Sequence, residues 1–236
     1  MDLLLKIGLE NGCEGGSMAW ALDYPGCTAS GKDGSQAILN MPRAFLQYSD
    51  WIIQHSMASW LANVGNFDLR LVETFECYSI SKDFEQVAGG TGYEVSAFFL
   101  HDWKPLTEED VRRGLLLLEW SRADLLGIVG GLSAEQRAQA HPGERWSIDG
   151  ILNHMGGAEW WYMDNIGMAG LERTQLSKAP DERLAQVRAR LLELLPALVG
   201  VNKVVGHDGE LWSPRKVLRR ALWHEMDHIG HIIKLI

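Results

Sequence analysis

Apolar and polar positions follow two different periods along this chain, and the change falls near residue 105. Before it, Leu3–Glu10 and Ser17–Leu22 read as strands, and LRLVETFECYS (Leu69–Ser79) alternates apolar and polar as a half-buried strand does. Tyr93–Leu100 reads as a further strand after the Gly89-Gly90-Thr91-Gly92 loop. Asp23-Tyr24-Pro25-Gly26 is a turn, since Pro fixes φ and Gly accepts positive φ. Ser35 to about Trp60 has helical spacing, with a kink or break expected at Pro42. These elements predict an α+β unit with a largely antiparallel sheet over residues 1–105.

After residue 105 the period is helical almost throughout. Thr107 with Asp110 forms a capping-box-like start, and Gly130-Gly131 stops that helix. Ser147 caps a second helix to about Ile166. A third runs from about Asp181 to Leu195, ahead of Pro196. Ser213 and Pro214 start a fourth that continues to the chain end. Residues 106–236 are therefore expected to form an all-α four-helix bundle.

Composition narrows the function classes. The chain has 236 residues, 46% apolar and 22% charged, which is ordinary globular usage and excludes disorder. No apolar run reaches the roughly 18 residues of a membrane helix, and MDLLLKIGLE lacks the basic start of a signal peptide. The net charge is −9, and residues 1–105 hold 6 basic against 13 acidic side chains. Neither nucleic acid nor an anionic membrane is expected as a partner, because both need clustered positive charge. Cys13, Cys27 and Cys77 are few and odd in number, which predicts a cytoplasmic protein without a disulfide framework.

The eight histidines carry the strongest chemical signal. His224-Glu225-Met226-Asp227-His228 lies in the last helix, followed by His231. At 100° per residue His228 is about 40° from His224 and His231 about 20° on its other side, so all three share a face. Two His at i and i+4 can bind one metal, and the spacing also fits the HExxH pattern of zinc proteases with Glu225 as general base. A catalytic zinc needs a third protein ligand; the metzincin position for it is Lys234 here, so the ligand must come from upstream. His154, at the edge of the Ile151–Met155–Ala158–Tyr162 stripe, is the candidate, with a core or cap histidine as the plain alternative.

These residues resemble a known family. Trp146-Ser147, Leu152-Asn153-His154 and Glu159-Trp160 are similar to the second-helix motif of the DinB/YfiT-like superfamily, and His224-(x)3-His228-Ile229-Gly230-His231 to its last-helix motif. The resemblance covers about residues 107–236. It implies a generally dimeric four-helix bundle in which His154, His224 and His228 hold a divalent metal such as Zn or Ni. His231 stands where that family usually has Gln, and is an alternative ligand or an outer partner. The family includes bacillithiol and mycothiol S-transferase-like enzymes. A second resemblance covers residues 3–50: Asp23-Tyr24-Pro25-Gly26-Cys27-Thr28-Ala29-Ser30-Gly31, then Gln36-Ala37 opening a helix, looks like the HicB-like signature, which implies an accessory or interaction unit.

Three functions follow from such a site. A metal lowers the pKa of a bound thiol or water. In the first, a low-molecular-weight thiol is the cosubstrate and attacks a small electrophilic substrate. In the second, hydroxide hydrolyses an ester or amide, with Glu225 or Asp227 as base. The third is metal binding without catalysis. Gly156-Gly157 inside the second helix costs about 1 kcal/mol each relative to Ala, which predicts either close helix approach or room for a ligand. Trp160, Trp161 and Trp223 are candidates for a pocket wall or for core packing. His55, His101, His141 and His207 have no assigned role.

Overall fold

The computed structural model describes residues 3–56, 60–61 and 64–236. Strand β1 (Leu3–Cys13) turns into β2 (Gly16–Ala21), and β3 (Thr28–Gly31) follows the predicted turn. Helix α1 (Gly34–His55) then crosses to β4 (Phe67–Glu76), giving the sheet order β3-β2-β1-β4. Leu5, Ile7 and Leu9 of β1 alternate into the core, as a strand with one buried face must. Ala37, Met41, Phe45, Tyr48 and Ile52 return every three or four residues on α1 and cover the sheet.

The chain does not break at Pro42: α1 runs unbroken through it. The proline forfeits a backbone hydrogen bond, but fully buried Met41 and Phe45 hold the helix to the sheet on both sides of it. The sheet is largely antiparallel, as expected: β1 pairs antiparallel with β2 and β2 with β3, while β1 pairs parallel with β4, Leu5 opposite Leu69 and Asn11 opposite Glu76. The last predicted residues of α1, 57–59, lie outside the described residues. A second sheet places β5 (Tyr78–Ile80) between β6 (Gln86–Val87) and β7 (Tyr93–Val95). β7 stops at Val95, short of Leu100, because the next amides, of Ser96 and Ala97, donate to the Glu210 and Glu10 carboxylates at 3.0 and 2.7 Å instead of to a strand; a 3-10 turn follows at Leu100–Trp103.

The second unit is helical. Its long helices are α2 (Glu108–Val129), then, after the short α3 (Ala134–Ala138), α4 (Ile148–Asn165) and α5 (Pro180–Leu194). Hairpin strands β8 (Val205–His207) and β9 (Glu210–Trp212) precede α6 (Pro214–Leu235). The predicted caps are in place. Thr107 and Asp110 form a reciprocal capping box, Ser147 accepts from the Gly150 amide, and Ser213 accepts from the Lys216 amide ahead of Pro214. α4 packs on α5 and α6, and α6 on α2. Leu125, Ile151, Leu152, Met155, Leu184 and Ile232 form a core from all four helices. The β8–β9 hairpin turns on Asp208-Gly209, both at positive φ, the residue pair that favours a two-residue turn.

Contacts divide the chain into Met1–Trp103 with Gly206–Leu211, and Lys104–Val205 with Trp212–Ile236. The hairpin segment belongs with the first unit, where buried Glu210 accepts from Tyr93 Oη at 2.8 Å and the Ser96 amide at 3.0 Å.

The cysteine expectation is corrected. Cys13 and Cys77 form a disulfide with Cα atoms 5.4 Å apart, and only Cys27 is free and buried. The parallel β1–β4 register brings them together: Asn11 lies opposite Glu76, and the Cys77 amide donates to the Asn11 carbonyl at 2.8 Å. The argument for a reducing compartment rested on unpaired cysteines and loses that support. No helix among the described residues is long and apolar enough to cross a membrane. The disulfide closes a separation of 64 residues, so reduction or Cys77→Ser is expected to destabilise the first unit by roughly 2–4 kcal/mol. Thermal melts with and without reductant check this, and alkylation of the unfolded, unreduced chain should label Cys27 alone.

Candidate metal centre

Four buried charges come first, because they set the helices that carry the histidines. Arg122 on α2, Glu159 on α4, Arg188 on α5 and Glu225 on α6 meet inside the helical unit. Glu159 accepts from Arg188 Nε at 2.8 Å and from Arg122 at 3.2 Å. Glu225 accepts from Ser121 Oγ at 2.6 Å, and from Arg122 and Arg188 at 2.7 Å each. The guanidiniums also donate to the Leu184 and Leu118 carbonyls. Burial alone would raise the Glu225 pKa, but the two arginines outweigh it and hold the carboxyl below its usual value.

One turn from this network the three predicted histidines converge. His224 Nε2 lies 3.0 Å from His154 Nε2 and 3.2 Å from His228 Nε2. Nitrogens on a tetrahedral zinc are separated by about 3.3 Å, so this spacing is that of ligands around one ion. The His224 and His228 rings meet at 82°, and His154 meets His228 at 87°, edges inward rather than stacked. Trp146 stacks on His154 at 4.6 Å, and Tyr162 sets its ring edge-on to His224 at 6.0 Å. Among the described residues the cluster contains these three histidines and no carboxylate.

The electrostatics favour neutral imidazoles, the form that ligates. Burial, helped by the Arg145 charge, lowers the His154 pKa. Burial, with His228, His154 and Arg220, holds His224 well below its ordinary value. Burial, His154 and His231 push His228 down to about 4. His228 Nδ1 is buried without a hydrogen-bond partner, whereas ligand imidazoles commonly give that N–H to a carbonyl or carboxylate.

Glu225, expected as a general base, has its carboxylate committed to Ser121 and two arginines and is a structural anchor in this arrangement. The protease reading loses its base with it. His231 lies outside the cluster, with Nε2 2.9 Å from Glu144, and Asp227 is exposed. The two helix glycines divide the two expected roles. An added Cβ at Gly156 would come within 2.8 Å of Arg183 Cγ, so that glycine permits close approach of α5, while Gly157 faces open space. Trp160 is a core residue, its indole donating to the Leu171 carbonyl at 2.9 Å. Trp161 packs edge-on to Trp212, and Trp223 lies beside His224.

Sequence reasoning missed the Trp146 stack and the Glu144–His231 pair. It also missed the charge network, whose signal was present: Arg122, Glu159, Arg188 and Glu225 each occupy a core-facing position in a helical stripe.

Glu225→Gln leaves two buried arginines short of a charge and is expected to destabilise the helical unit by about 3 kcal/mol, read by denaturant unfolding. The pH dependence has a definite sign. An unfolded histidine takes up its proton near pH 6.5, and folded His228 only near 4. Between those values the unfolded state binds more protons, so the metal-free protein loses stability as pH falls from 6.5 to about 4. Melts of wild type and His228→Asn across that range check it, and the variant's curve should be flatter.

No curated protein matches the chain. Residues 117–232, from mid-α2 to the last turn of α6, match the family model of the DinB superfamily.

Proposed function

We propose that His154, His224 and His228 hold a divalent metal, zinc or nickel, and that the protein transfers a low-molecular-weight thiol to a small electrophile. Three Nε2 atoms directed at one point carry this reading. A divalent cation there supplies positive charge that lowers the pKa of a thiol or water bound to it. The chain's own residues hold and orient. Burial keeps the three imidazoles unprotonated, Trp146 fixes the His154 ring plane, and the Arg122–Glu225 contact anchors α6 beside His224.

The absence of a carboxylate from the cluster, among the described residues, favours thiol transfer over hydrolysis. A thiolate attacks without a base, whereas activation of water gains from one, and Glu225 is already engaged. The first unit is read as HicB-like, an accessory or interaction unit, and the chain as a homodimer that takes a small-molecule substrate, with neither nucleic acid nor membrane as partner.

Purified protein should carry about one divalent ion per chain by elemental analysis, and His154→Ala should lose it while keeping its fold. The loaded protein should consume an electrophile such as a chlorodinitroarene only when a small thiol is present. Retention of metal by His154→Ala would refute the ligand assignment, and thiol-independent turnover of an ester would favour the hydrolase reading.

A further inference from the structure

We infer that Cys13, Cys77 and Glu10 form a second, redox-gated site, which takes a thiophilic divalent cation such as zinc once the disulfide is reduced. The site lies wholly within the first unit and is independent of the histidine cluster. Glu10 sets its charge. This residue of β1 is 3% exposed. Its carboxylate accepts from the Trp20 indole at 2.9 Å and from the Ala97 amide at 2.7 Å. Oε1, the oxygen that takes the Ala97 amide, also stands 3.6 Å from Cys13 Sγ. None of these partners is a cation. A buried carboxylate costs several kcal/mol unless positive charge meets it, and the group beside this one is a cysteine sulfur.

One atom of each of the three residues lies within 4.8 Å of the other two. Around a tetrahedral zinc two thiolate sulfurs are about 3.8 Å apart, and a sulfur and a carboxylate oxygen about 3.6 Å. The Cys13–Glu10 separation has the second value already. Cα atoms 5.4 Å apart permit the first, because the freed sulfurs part by rotation about their Cα–Cβ bonds. The β1–β2 and β1–β4 ladders hold the backbone meanwhile. The pair is also reachable: Cys13 ends β1 at the Glu14-Gly15 turn, and both cysteines are half-buried, not sealed in the core. A dithiol reductant attacks one sulfur as its thiolate and closes to its own cyclic disulfide, passing two electrons and two protons to the cysteines. The cation then releases both thiol protons to solvent and takes two thiolates and Glu10 Oε1, with water in the fourth position. A disulfide oxidant reverses the exchange and expels the ion.

The test is cobalt(II) binding to the full chain. The protein is reduced with a phosphine, so that no added thiol is present, and the excess is removed under inert gas. Cobalt(II) is then titrated while the sulfur-to-cobalt charge-transfer absorption is followed, a band that histidine-bound cobalt does not give. The reduced chain should develop the band and lose it to added zinc, and the oxidised chain should show none. Cys13→Ser and Cys77→Ser should each lose it, Cys27→Ser should keep it, and Glu10→Gln should bind cobalt there about tenfold more weakly or worse. A reduced chain that keeps its circular dichroism but shows no band overturns the inference, as does a band that survives in Cys13→Ser. Unchanged affinity in Glu10→Gln overturns it by removing the carboxylate from the site. A reduced chain that unfolds and is not refolded by cobalt overturns it as well.

Discussion

The helical unit turns on four buried charges that no single helix can satisfy. Each long helix contributes one: Arg122 from α2, Glu159 from α4, Arg188 from α5, Glu225 from α6. Taking an ion out of water costs several kcal/mol, and here only the other three helices supply the compensation. A slip of one helix along its neighbour would leave an ion unpaired, so the network specifies register more than it adds stability. That register brings His154 of α4 to His224 and His228 of α6.

The histidine cluster follows from the same economy of charge. Three imidazoles crowded within hydrogen-bond distance cannot all be cations, and burial enforces the neutral form. Neutral nitrogens facing one point, with Trp146 against one ring, are poised for a cation rather than for each other. The acidic groups that sequence spacing placed near the site, Glu225 and Asp227, are directed to the arginine network and to solvent. A helical-wheel angle states which face a residue is on; it does not state which partner claims its side chain.

Much of the local structure was legible in the residues. Thr107, Ser147 and Ser213 cap their helices because a side-chain oxygen satisfies an amide that has no partner within the helix. The Asp208-Gly209 turn is legible too, because both residues take positive φ readily. Pro42 shows the limit of such rules: its local cost is real, and packing of α1 on the sheet outweighs it. Gly156 and Gly157 are identical in sequence terms, and only their surroundings, Arg183 for one and open space for the other, separate close packing from vacancy.

By itself the sequence determined the helix starts at Thr107, Ser147 and Ser213 and the spacing that puts His224 and His228 on one face of α6. These depend on interactions within a few residues, where periodicity and capping chemistry operate. Tertiary structure decided the parallel pairing of β4 with β1, and through it the Cys13–Cys77 disulfide across 64 residues. It likewise decided that Glu225 anchors arginines and that Trp146 backs His154. These contacts join segments far apart in the chain, and their energies exist only once packing excludes water and fixes which groups meet.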